Sequence, residues 1–138
     1  MAHEEFDRIV ASVPELSALG DSAPDGFIVL FSVAGERARV PRVVFIEHTN
    51  AIFAALKDSG ADLAGVVGPV AGLDPLVRSV VLGSAFQYFK DWMLERCPLS
   101  QVPFSVFHLP AFIAMYRELT AGAPEYSGEF VTEKGPGR

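Results

Sequence analysis

Two interior histidines are the residues in this sequence best placed to do chemistry. Glu47-His48 follows the apolar run Val43 to Ile46, and His108 follows Phe104 to Phe107. If those runs are parallel neighbouring strands, their carboxyl ends bring both imidazoles and the Glu47 carboxylate to the edge where open α/β sheets bind ligands. An imidazole beside a carboxylate can act as a general base or hold a metal. Glu47, His48 and His108 are therefore the candidate catalytic residues, around a cleft floored by Phe107 and Tyr116. The plainer account has each histidine ending its strand, half exposed and bonded to a nearby backbone carbonyl. Two histidines and one glutamate without ligand spacing favour the plainer account, and neither a metal nor a cofactor is expected.

Other groups are weaker. Cys97 is the only cysteine. It sits after a long helix and before Pro98, near the negative end of the helix dipole, which raises a thiol's pKa and argues against a thiolate nucleophile. Arg37, Arg39 and Arg42 form a local basic cluster that could grip a phosphate or carboxylate, or could guard an edge strand against pairing with another chain. Gly65, Gly68 and Gly72 lead into a helix start, but they match neither GxGxxG nor GxxxxGK[ST]. Asp74 at the N-cap would also put a carboxylate where a phosphate needs free amides.

The dominant pattern is apolar rather than catalytic. From Leu76 to Leu94 the large side chains spread around nearly the whole circumference of a helix, which then needs cover on most sides. Val77, Val81, Ala85, Tyr88 and Trp92 make one stripe, and Leu82, Phe86, Phe89 and Met93 make another beside it. Such a helix is either central to its own subunit or covered along the first stripe by a second subunit. Val77, Val81, Ala85, Tyr88 and Trp92 are accordingly the candidate interface residues of a homodimer.

Composition agrees with a chain rich in surface to hide. Of 138 residues, 50% are hydrophobic and 20% charged, with eleven Phe, which places the sequence far from disorder. The formal charge of −6 disfavours nucleic acid, because no basic field would release phosphate counterions. The first residues lack a secretory pattern and no stretch is apolar for long enough to span a bilayer, so no membrane insertion is expected. With one cysteine and no internal disulfide, the expected location is cytoplasmic.

Turn and cap signals divide the chain. Phe6, Ile9, Val10 and Val13 follow helical spacing, and residues 20–26 are a turn-rich connection. Phe27 to Val33 and Val43 to Ile46 read as two strands of an N-terminal hairpin, with Pro41 interrupting the second arm. Thr49 or Asn50 can cap a helix over 51–59, with Ile52, Phe53 and Leu56 on its apolar face. Ala64 to Val70 reads as a buried strand. Asp74 and Pro75 start the long helix, which runs to about Arg96; Pro103 to Phe107 reads as a last strand, and Leu109-Pro110 opens a helix that stops at Ala121-Gly122. Residues 123–138 form a tail with a strand-like stretch over Tyr126 to Thr132.

The expected fold is α+β (or α/β): one globular domain over residues 1–122, with a single-layer mixed sheet of about four strands. Helices pack against the sheet in the order α-β-β-α-β-α-β-α. Shortage of catalytic groups and excess of apolar residues point to a non-enzymatic, small acidic interaction or accessory protein that self-associates and binds a protein partner. The alternative is a small enzyme or ligand-binding domain using the His/Glu site at strand ends.

Overall fold

Strand β1 (Phe27–Ser32) is the centre of the molecule's sheet, because its dense apolar run is buried on both sides. A computed structural model describes residues 26–57, 63–96 and 109–133. β1 is flanked by β2 (Arg37–Pro41) and β3 (Tyr126–Glu133), in the order β2-β1-β3, and both neighbours run antiparallel to it. The expected mixed sheet of about four strands is replaced, among the described residues, by three antiparallel ones.

A hairpin forms between β1 and β2, but its second arm is Arg37–Pro41 rather than Val43 to Ile46. Gly35 turns the chain with a φ of 93°. The turn is closed where the Ser32 amide donates to the Glu36 carbonyl at 2.8 Å and the Glu36 amide donates to Ser32 Oγ at 3.0 Å. β2 alternates exposed and buried positions, with Ala38 and Val40 facing the core, and ends at Pro41. Val43 to Ile46, expected to extend that arm, instead opens helix α1 (Arg42–Lys57). The β-branched residues there prefer strands only weakly, and Phe45, Thr49, Ile52 and Leu56 recur at helical spacing along one buried face. The 51–59 helix is thus the second half of α1, and Thr49 and Asn50 lie inside it rather than capping it. The Arg42 amide donates to the Gly26 carbonyl at 2.8 Å, which ties the start of α1 to the start of β1.

Ala64 to Val70 is likewise not a strand. It forms a short helix α2 (Leu63–Val67) that continues as a 3-10 turn (Gly68–Gly72) with Pro69 at its start. Proline has no amide to give a ladder but suits the first turn of a helix.

The next helix, α3 (Pro75–Arg96), starts as its sequence predicts. Asp74 Oδ1 accepts from the Leu76 amide at 2.8 Å, and Pro75 takes the first helical position. Helix α4 (Leu109–Thr120) also ends where expected: Gly122 adopts a φ of 77°, and Thr120 Oγ1 donates to the Tyr116 carbonyl at 2.8 Å. The expected strand over 103–107 and the segment before residue 26 lie outside the described residues.

One contiguous apolar cluster joins these pieces. It takes Ile28 and Leu30 from β1, Phe45, Ile52 and Leu56 from α1, Val67 from α2, Val70 from the 3-10 turn, Ile113 from α4 and eight side chains of α3 between Leu76 and Phe89. Tyr126 and Phe130 of β3 pack against it. The stretch read as a tail therefore closes one edge of the sheet. β3 carries an irregularity opposite Leu30 and Ser32, where Gly128 has a φ of 91°. The result is a small α+β domain in which α3 is the central helix.

Candidate functional site

Helix α3 changes character along its length. From Ser79 to Phe86 every residue is buried, so that stretch is enclosed on all sides by its own chain. Beyond it, Gln87, Tyr88, Lys90 and Trp92 are half-buried, and Asp91 and Glu95 are exposed. Of the candidate interface residues, Val77, Val81 and Ala85 are 1%, 0% and 0% exposed, so they are core side chains already covered inside the subunit. Tyr88 and Trp92 remain at the surface.

These two residues meet α1. Phe53 and Lys57 lie one turn apart on α1, as Tyr88 and Trp92 do on α3, and the pairs face each other in step. The Phe53 and Tyr88 rings are 5.6 Å apart in an edge-to-face arrangement at 68°. Lys57 Nζ lies 4.6 Å from the Phe53 ring centroid and 5.9 Å from that of Trp92. Beneath Trp92, the fully buried Phe89 ring stacks at 6.0 Å and 24°, which anchors the indole to the core. Burial raises the Tyr88 phenol above its usual pKa, and the Asp91 carboxylate adds to the rise by disfavouring a second negative charge. The corner is thus three half-buried aromatic rings, a resident ammonium and a carboxylate nearby.

Two residues of the expected histidine site are described, and neither stands at the end of a strand. Glu47 is exposed and His48 half-buried, both on α1 rather than at a strand end, and all three described strands are antiparallel. His108, Phe107 and Cys97 lie outside the described residues. Among the described residues no group of three or more His, Cys, Asp or Glu could hold a metal ion. No helix among them is long and apolar enough to cross a membrane.

The arginines also separate. Arg37 and Arg39 share the exposed face of β2, while Arg42 sits in the first turn of α1. Arg39 Nε donates to Glu133 Oε1 at 2.8 Å, and its guanidinium lies 3.5 Å over the Phe27 ring. Arg39 therefore clasps the sheet from β2 across β1 to β3. The glycines before α3 carry no phosphate loop, since Asp74 already occupies the helix start.

Phe53 and Lys57 were not singled out from the sequence as site residues. The available signal was the shared four-residue spacing of Phe53 with Lys57 and of Tyr88 with Trp92, which on two adjacent helices makes matching pairs. Comparison with protein-family models, with curated proteins and with solved structures gives no significant match. The fold and site define only a class: a small α+β domain with an aromatic corner at the emergent end of its central helix.

Proposed function

We propose that this chain is a non-enzymatic interaction domain that pairs with a second copy of itself and receives a protein partner through the corner made by Phe53, Tyr88 and Trp92. The supporting observation is that α3, enclosed from Ser79 to Phe86, still carries two large aromatic rings where it leaves the core. Tyr and Trp contribute large area at low entropic cost and are enriched at the centres of interfaces. The overall charge of −6 suits a basic or neutral partner surface rather than nucleic acid. The acidic composition and single cysteine fit a cytoplasmic location.

Sedimentation equilibrium tests the self-association. The average mass should rise toward that of a dimer with concentration, and Trp92→Ala should weaken the rise without loss of the circular-dichroism spectrum. A mass equal to that of one chain at every concentration would remove the dimer.

A further inference from the structure

We propose that the Phe53, Tyr88 and Trp92 corner is a recognition site for an alkylated ammonium group, occupied in the free protein by the chain's own Lys57. This rests on the interaction reading above and names the chemistry that the corner receives.

A cation over an aromatic face is attracted by the ring's negative quadrupole when it lies within about 6 Å of the centroid. Lys57 meets that condition on two rings, at 4.6 Å from Phe53 and 5.9 Å from Trp92. Its side chain is nevertheless exposed, so the ammonium is held by the rings at the surface and is free to swing into water. The walls are better fixed than the occupant. Phe53 and Tyr88 brace each other edge to face, and Trp92 stacks on the fully buried Phe89. Asp91, one turn from Tyr88, acts electrostatically on that phenol.

A primary ammonium such as that of Lys57 is compact and strongly hydrated, so leaving water costs it more than it costs an alkylated ammonium. A trimethylated ammonium spreads the same charge over an apolar surface that fits against rings, which is why aromatic walls select quaternary groups. An incoming alkylated ammonium therefore displaces Lys57 into solvent, where it is readily hydrated. The ligand can be a free small cation or the methylated lysine side chain of a partner, since the recognised group is the same.

Trp92 is the only tryptophan, so its fluorescence reports on the corner alone. Tetramethylammonium chloride is titrated into the wild-type protein and the Lys57→Met variant, against sodium chloride of equal ionic strength. The expected result is a saturable change beyond the sodium control, with a midpoint about two- to fivefold lower in Lys57→Met, because the resident charge no longer competes. The change should vanish in Tyr88→Leu, or in Phe53→Leu if the first variant does not fold. Overturning results are a response no different from sodium chloride in both wild-type and Lys57→Met, or a saturable response that both leucine variants retain.

Trimethyllysine and unmodified lysine peptides distinguish the sources. A lower midpoint for the methylated peptide than for tetramethylammonium assigns the site to a protein side chain, and equal midpoints assign it to a small cation. A protein that stays monomeric but gives the saturable response keeps the cation site and loses the dimer. A dimer without the response does the reverse.

Discussion

The two halves of α3 are built from similar residues and live in different surroundings. Between Leu76 and Phe86 every residue but Arg78 is buried, and even Ser84 is fully covered. Between Gln87 and Glu95 it carries Tyr88, Phe89 and Trp92, and of these three rings Phe89 is fully buried while Tyr88 and Trp92 are half-buried. An apolar circumference therefore means two different things on one helix: enclosure by the subunit's own elements at one end, and a surface cluster available for recognition at the other. At the later turns the described neighbours are Phe53 and Lys57 of α1, which meet Tyr88 and Trp92 without burying them.

The largest test of this contrast compares Phe86→Ala with Trp92→Ala. Phe86 is 0% exposed and its ring lies 5.8 Å from that of Tyr116 on α4, so truncation leaves a cavity between elements and should cost about 3–5 kcal/mol in urea unfolding. Trp92→Ala removes a half-buried ring and should cost less, roughly 1–2 kcal/mol. Equal losses would mean that the emergent end is as much a part of the core as the middle, and the comparison would fail.

Next comes the helix start. Asp74→Ala removes the acceptor of the Leu76 amide and should cost about 1 kcal/mol, with Asp74→Asn retaining most of the stability. No loss on urea unfolding would show that packing alone holds the first turn.

A smaller effect of opposite sign is expected inside the enclosed half. Among the described residues, Ser84 Oγ is buried without a hydrogen-bond partner, as is Thr49 Oγ1 on α1. Ser84→Ala should be neutral or stabilising by up to about 1 kcal/mol, because it removes a desolvated hydroxyl that returns nothing. A destabilisation would indicate a bond made by that hydroxyl and a less apolar centre.

The smallest effect is confined to alkaline pH and the far edge of the sheet. Tyr126 of β3 is pushed up to about 12, first by burial and then by the Glu129 carboxylate. With the folded pKa above the unfolded value of about 10, the unfolded chain loses its proton first. The contribution to stability is therefore complete below about pH 10 and is lost as pH rises toward 12. Tyr126→Phe should flatten that decline in unfolding free energy. An unchanged slope in the variant would show that Tyr126 does not cause it.

Local signals were legible wherever a single residue's geometry decides. Asp74 with Pro75 and Gly122 each act through their own backbone angles or nearest amides, and each does in the structure what its type implies. Runs of apolar residues were less legible. Val43 to Ile46 and Ala64 to Val70 fit a buried strand or a buried helix equally by composition. Only the spacing of Phe45, Thr49, Ile52 and Leu56 across the full sixteen residues of α1 reveals the helix. The placement of His48 was misread for the same reason, since it stands within α1 rather than after a strand.

By itself the sequence determined that a nearly all-round apolar helix would need cover, that its start lay at Asp74-Pro75, and that strands and helices would mix. Whether the cover came from the same subunit, and where along α3 it stopped, was decided by tertiary structure. Burial belongs to the elements that converge on a residue from distant parts of the chain. Val81 and Trp92 occupy the same stripe of one helix, yet the core closes around the first and leaves the second at its edge.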